Sequence, residues 1–438
     1  MNRRWTLFLL VLMAVLLNAD NLVLSPNIDA VEKELGLTDI DIGNISGLFT
    51  IVGAVVSLLW GYLGDRGSRK LLFLLSIVIG ELPCLLTAWA ATAAQFYWLR
   101  VLTGIGVGAS FPIAYSLVAD LFDEKERGRA TAYISAAIGF GSVVGALVGG
   151  YVGAAAGWRL PFAAVAAPNF VLAVVFWFTV REPARGMSEE ALKGLVAEGY
   201  IYPRKIKLSD YRRLLTIPTN IFLFLQGIAG TVPWGAIPLF LVTYLMREKG
   251  FSQEAATTVF FVFGLGNIVG TMAGGVVGGR LYRRSPGLVP VFAAVTTAAG
   301  AGLATALFAA PGLGTGPGGF WMLVGFGLLT AVAVSLTGPN SKMMLMDVNV
   351  PENRGAIFSI FNLTDSLGTG VGRAVSGWLA GLFGMGAALT ASALFWLPCA
   401  LFLLALIGRF PRDVARLHAE MKAVAAETAL STRVRVPM

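Results

Sequence analysis

An all-α membrane protein, with twelve transmembrane helices in two pseudo-symmetric six-helix bundles, is the fold class this sequence predicts. Three observations carry the expectation: apolar composition sustained almost end to end, twelve apolar runs long enough to cross a bilayer, and short motifs that recur between the two halves. Of the 438 residues, 56% are apolar and 13% charged, about half the charged share of an ordinary soluble domain. A soluble chain of this length would divide into domains with polar surfaces and charged linkers. Lipid is therefore the expected solvent.

A helix needs about 20 apolar residues to cross about 30 Å of hydrocarbon. Runs that meet this cover 5–24, 42–63, 70–92, 97–120, 129–152, 159–181, 219–246, 254–279, 287–310, 318–341, 355–382 and 388–408. A β-barrel would show alternating segments of about ten residues, whereas these runs are long and unbroken by polar alternation. The first run follows Arg3 and Arg4 and mimics a secretory signal. Eleven later spans and the lack of a small-residue cleavage site make it a retained helix.

The net charge of +8 raises the question of nucleic acid, which the placement of the 33 basic residues answers. With both termini in the cytoplasm, 27 of them fall in inner loops and the tail. Only Lys33, Arg159, Arg247 and Lys249 fall outside, while Arg100 and Arg373 lie within spans. This is the positive-inside pattern of a membrane protein, here expected in a bacterial inner membrane. A nucleic-acid footprint would gather on one soluble face, so no nucleic-acid partner is expected.

Residues 182–218 carry Pro183, Pro203 and Pro218 with seven basic residues, and they divide the spans six and six. The expected organisation is a bundle at 1–181, a cytoplasmic linker at 182–218, a second bundle at 219–408 and a cytoplasmic tail at 409–438. Repetition supports it. The decapeptide beginning at Gly61 aligns with the one beginning at Gly275, 214 residues on, and Glu126-Arg127-Gly128 aligns with Asn353-Arg354-Gly355, 227 residues on. Parallel six-helix halves let an interfacial site face each side of the membrane in turn.

These residues resemble a known family. Gly61-Tyr-Leu-Gly-Asp-Arg-Gly-Ser-Arg-Lys70 is similar to the loop 2–3 signature of the major facilitator superfamily. Arg100-Val-Leu-Thr-Gly104-Ile-Gly106 resembles its fourth-helix arginine motif, and Gly141, Gly145, Gly149 and Gly150 its fifth-helix glycine motif. The chain also resembles spinster-like lipid transporters through Asn18-Ala-Asp20-Asn21, Gly61-Tyr-Leu-Gly-Asp-Arg66 and Ala119-Asp-Leu-Phe122. Val107 stands where those proteins carry a glutamate, and Asn21 where they carry arginine. The resemblance implies the major facilitator fold, helices one and four lining a cavity, and transport of an amphiphile such as a lysophospholipid or sphingoid compound.

Charged groups inside spans point to function, since each costs about 2.5–3.5 kcal/mol at the bilayer centre. Asp20 lies about 22 Å along span one at 1.5 Å per residue, and Arg100 about 5 Å into span four from the outside, so both reach the outer third and are expected to pair. Asn362, Asp365, Thr369 and Arg373 recur every three or four residues and form one polar stripe on span eleven, with Asp365 near the midplane and Arg373 near the outer rim. Glu81, about 16 Å deep in span three, reads either as a proton relay or as a neutral acid bonded to a neighbour. Asn18, Asn21, Gln226, Trp234 and Asn267 are further cavity-lining candidates.

At the inner face, Asp65 is expected to satisfy the N-terminal N–H groups of span eleven and so latch the halves. Arg66 and Arg69 are expected to complete this gate with Asp120. Small residues spaced by four, Gly141, Gly145 and Gly149 and again Gly368, Gly372 and Ser376, allow close helix contact.

Cys84 and Cys399 fall inside spans without metal-ligand spacing, and the one histidine, His418, lies in the tail. No nucleotide loop, catalytic constellation, metal site or cofactor motif is present. The expected function is secondary active transport by proton-coupled alternating access, in a monomer whose partners are the bilayer, protons and an amphiphilic substrate. A drug or metabolite antiporter and a non-transporting receptor are the alternatives.

Overall fold

The computed structural model describes residues 3–122, 124–183, 214–310, 318–349 and 354–419. Among these residues helices dominate and no strand forms. The first half contains α1 (Arg3–Ala19), a 3-10 turn (Ser25–Asn27), α2 (Ile28–Leu35), α3 (Asp39–Arg66) and α4 (Arg69–Thr87). It continues with α5 (Ala93–Val107), α6 (Ser110–Leu121), α7 (Glu124–Ala156) and α8 (Arg159–Thr179). The second half contains α9 (Pro218–Arg247), α10 (Gln253–Arg284), α11 (Leu288–Ala309) and α12 (Gly319–Ser335). It ends with α13 (Thr337–Asp347), α14 (Arg354–Phe383), α15 (Met385–Leu394) and α16 (Trp396–Leu404).

Twelve rods cross the bilayer, six per half, because α5 with α6, α12 with α13 and α15 with α16 each build one span. Ten are long and apolar enough to cross by length and composition alone. The other two are α1, with only 17 residues, and α14, whose apolar character the polar stripe dilutes. Helix starts are set by side-chain caps. Thr38 and Asp41 form a capping box on α3, and Ser68, Thr92 and Ser252 cap α4, α5 and α10. Two breaks share a cause. Pro112 and Pro339 occupy equivalent positions of the repeat, and each lacks the N–H that would continue the helix across the α5/α6 and α12/α13 joints.

Within each half, the glycine rows form close helix seams. Side chains at Gly141, Gly145 and Gly149 of α7 would strike the carbonyls of Val15, Ala19 and Val23. Gly368 and Gly372 of α14 abut the Ile228 and Val232 carbonyls of α9 in the same way. The seam recurs in both halves, which is the pseudo-symmetry expressed as packing.

The inner end is defined as the end where α1 begins. Between the halves, α3 packs on α14 and α7 on α10. The α3–α14 seam is backbone against backbone, since a Cβ on Gly43 would lie 2.7 Å from Arg373 O and 2.8 Å from Gly377 Cα. Next to it Ser25 donates to the Pro238 and Leu239 carbonyls at 2.9 and 2.7 Å, and Gln253 donates to Asn27 Oδ1 at 3.2 Å. Arg247 reaches Asp29 at 2.5 Å, Asp39 at 2.9 Å and also Glu32. These hydrogen bonds and ion pairs between the two halves lie toward the outer end. The molecule is therefore closed on the outside.

Candidate functional site

Span one does not continue as a helix to residue 24. It stops at Ala19, because Asn18 turns back to the Ala14 carbonyl at 2.8 Å and Asn21 to the Asn18 carbonyl at 3.3 Å, competing with the helical ladder. Asp20 therefore sits where the helix has just unwound, and it is fully buried. Glu81 and Cys84, one turn apart on α4, face it; donor and acceptor atoms of the three lie within 4.8 Å of one another. The Cys84 thiol donates to Asp20 Oδ1 at 2.8 Å. Asn169 of α8 donates to Glu81 Oε1 at 2.5 Å and to the Met13 carbonyl at 3.2 Å. Asp20 Oδ2, Glu81 Oε2 and Asn169 Oδ1 have no hydrogen-bond partner.

Arg100 corrects one expectation. It is 3% exposed and stands beside Asp20, yet it donates to the backbone carbonyl of Asp20 at 2.5 Å rather than to the carboxylate. No Arg100–Asp20 carboxylate pair within 4.0 Å occurs among the described residues. The guanidinium also stacks against the Phe49 and Phe162 rings, 5.1 and 5.2 Å from their centroids, a cation–π arrangement. The carbonyl is available because the helix has ended there, which depth along a helix does not reveal.

The polar stripe of α14 divides. Its outer member, Arg373, is buried against the other half, donating to the Ser46 carbonyl at 3.3 Å and to Thr50 Oγ1 at 2.7 Å, with Nε unpartnered. Since Phe49 lies between Ser46 and Thr50, Arg100 and Arg373 flank one turn of α3 from opposite halves and repel each other. The inner member, Asp365, presses Oδ1 against Gly227 of α9, and Lys342 of α13 is the cation that acts on it. Asp365 Oδ1 has no partner. Thr369 bonds back to the Asp365 carbonyl at 2.9 Å, and Asn362 is half-buried.

Gln226 is buried and lies 3.6 Å from the Cys399 thiol. Trp234 packs on Phe263 and Trp396, and Asn267 donates to Ser335 at 3.0 Å. On the inner side Arg69, 2% exposed, pairs with Asp120, while Arg66 lies over the Tyr62 ring at 4.4 Å. The Asp65 side chain and residue 353 at the start of α14 lie outside the described residues, as do most of the linker and the tail beyond 419.

Sequence reasoning missed the outer cluster of Arg247 with Asp29, Glu32 and Asp39. The available signal was an arginine standing outside against the positive-inside bias, with acids gathered in the loop after span one. Glu32 is partly buried there. Burial, reinforced by the Asp39 charge and opposed by Arg247, pushes its pKa up to about 7. Apart from both clusters, a cleft of about 620 Å³ lies between the outer ends of α9, α11 and α15, lined by Tyr244, Glu248, Phe308 and Thr390.

The chain is 29% identical to protein spinster of Drosophila melanogaster over 267 residues, which is 58% of this chain and 43% of that protein. It thus spans less than half the length of this relative. It is 26% identical to the probable sulfoacetate transporter SauU of Cupriavidus necator, over 65% of this chain and 67% of that protein. The crystal structure of a bacterial homolog to the human lysosomal transporter Spinster, inward-facing and unoccupied, superposes with a TM-score of 0.80. That match has 21% identity and covers 94% of this chain and 98% of the other. The model of the Major Facilitator Superfamily matches residues 10–316 and again 222–436, two overlapping matches that together cover nearly the whole chain. Two like bundles, joined through glycine seams and matched along nearly their whole length, make this chain a member of the Major Facilitator Superfamily.

Proposed function

We propose that the protein is a proton-coupled secondary active transporter that carries an amphiphilic small molecule, a lysophospholipid or sphingoid-like lipid, by alternating access. The observation that carries this reading is the fully buried Asp20 carboxyl, with one oxygen unpartnered, next to a buried arginine inside the first bundle. A buried group that gains or loses charge biases one packing of the seam over another. Protonation of Asp20 removes its attraction for Arg100, so proton and substrate compete for the same pair. In this reading the two guanidiniums on one turn of α3, Arg100 and Arg373, attract an anionic headgroup. Asp365 with Lys342 forms a second polar station toward the inside, where Asn362 and Thr369 line the route. Arg69, Asp120, Arg66 and Asp65 serve as the inner gate. In this reading the protein works as a monomer in a bacterial inner membrane, with both termini cytoplasmic.

Reconstituted vesicles test it. Lysophospholipid flux is expected to follow an imposed pH gradient, and Asp20→Asn to abolish the pH dependence. Flux indifferent to the gradient, or unchanged pH dependence in Asp20→Asn, removes proton coupling at this residue. A second reading, transport of a small organic anion, is favoured by the paired arginines and by the probable sulfoacetate transporter among the relatives. Sulfonate uptake without lysolipid flux would select it. Binding without any gradient-dependent flux would select a receptor.

A further inference from the structure

Two acids and one guanidinium share a single buried space in the first bundle. Asp20 and Glu81 are each fully buried, and each has one oxygen occupied, by Cys84 and Asn169 respectively. The oxygens left over, Oδ2 and Oε2, meet no donor, and neither does Asn169 Oδ1. All three orphaned atoms are acceptors, so the pocket lacks hydrogens rather than oxygens. The groups that act on the two acids are Cys84 on α4 and Arg100 on α5, while α8 presents the neutral Asn169. Arg373 of α14 acts on Arg100.

We infer that Asp20 and Glu81 form a dyad that holds one proton between their free oxygens. The inference rests on the proton-coupled reading above and extends it to Glu81. Charge supports it: two carboxylates against Arg100 leave one uncompensated negative charge in the bundle interior, which burial strongly disfavours, and one proton cancels it. Hydrogen bonding supports it too, because a single O–H···O link gives both orphaned oxygens a partner. Two like charges so close do not both ionise, the principle by which paired carboxyls share a proton. A metal fits poorly. Hard cations ask for about six oxygens, and the Arg100 guanidinium already lies 4.0 Å from Cys84 Sγ.

The dyad is wired to the outer seam. Asp20 belongs to the unwound stretch that runs directly into Ser25 and Asn27, the residues bonded to the opposite bundle. Among the described residues, α4, which carries Glu81, makes no hydrogen bond to the opposite bundle. Separating the bundles on the outside pulls on Asp20 and not on Glu81, parts the two carboxyls, and frees the proton.

Infrared spectroscopy of the purified protein tests this through the C=O band of protonated carboxyls. Wild-type protein is expected to show a component that titrates with pH, and Glu81→Gln and Asp20→Asn are each expected to remove that same component. Loss on either substitution alone is the signature of sharing. Glu81→Asp, which retains the acid but withdraws it by one methylene, is expected to shift the midpoint while preserving the fold. A component absent from wild type, or one surviving Asp20→Asn, overturns the dyad. So does saturable loss of the component when sodium replaces choline at fixed pH, since the occupant is then a metal cation. The two readings fail separately. An intact shared band with gradient-independent flux sinks proton-coupled transport alone, and gradient-driven flux with unshared bands sinks the dyad alone.

Discussion

Replacing Arg247 with glutamine is expected to open the outside of the molecule. Its guanidinium joins the end of α9 to Asp29, Glu32 and Asp39 around the start of the first bundle's second span, with contacts of 2.5 Å to Asp29 and 2.9 Å to Asp39. The arginine side chain is 32% exposed, so each pair counts as partly solvated, worth about 0.5–1 kcal/mol. Above about pH 7, where Glu32 is ionised, three such pairs amount to roughly 1.5–3 kcal/mol, or about a 10–150-fold change in the ratio of outside-closed to outside-open molecules. The substitution also leaves three acids facing one another, which adds to the opening drive. Spin labels at the exposed Lys33 and Glu254, one on each bundle, report the separation by electron–electron distance measurement. Arg247→Gln is expected to add or enlarge a long-distance population. Wild type is expected to move the same way in about 1 M salt, where the Debye length falls to about 3 Å. Distance distributions identical in both proteins and insensitive to salt would refute the claim that this cluster holds the outside shut.

Glu32 makes the closure pH-dependent: its pKa of about 7 in the closed form exceeds its ordinary 4.5, so closing takes up a proton. Its contribution is complete below about 4.5 and is lost as pH rises through about 7, and Glu32→Gln is expected to flatten this dependence in the same distance measurement. Gly145→Val drives a side chain into the Ala19 carbonyl beside Asp20 and is expected to cost about 1–3 kcal/mol by overpacking, read as a lower melting temperature in detergent; an unchanged one contradicts the seam. Asp120→Asn strips the buried Arg69 of its partner, and with Glu182 still 3.7 Å away the loss is expected near the low end of the ~3–5 kcal/mol typical of broken buried pairs, measured by thermal unfolding. Asp65→Asn is expected to raise accessibility of cysteines introduced at the inner end to a polar thiol reagent, and unaltered labelling argues against a latch there.

Much of the fold was legible in the sequence because hydropathy and length are one-dimensional properties of a helix in lipid. The runs at 219–246 and 254–279 correspond to α9 and α10, and the glycine rows at 141–149 and 368–372 foretold two helix seams that the structure realises with the same carbonyl contacts. The site was legible only in depth. Rise per residue brought Asp20 and Arg100 to one level, but the end of α1 at Ala19 gave Arg100 a carbonyl to bind instead of the carboxylate. Rotation about a helix axis is set by neighbours rather than by local sequence. Glu81, read either as a proton relay or as a neutral acid bonded to a neighbour, faces Asp20 because α1 and α8 both pack on α4. The Arg247 cluster was hidden for a different reason: its members are some 200 residues apart in the chain and meet only when the two halves close.

The prolines that divide the fourth span of each half split its labour as well. Arg100 rides on the outer rod, α5, and Asp120 on the inner rod, α6, with Pro112 just past the joint. The inner end can thus swing on this pivot while the guanidinium keeps its grip on the unwound segment, so that in the proton-coupled reading proposed above, movement at the inner end and proton exchange at Asp20 need not happen in the same instant.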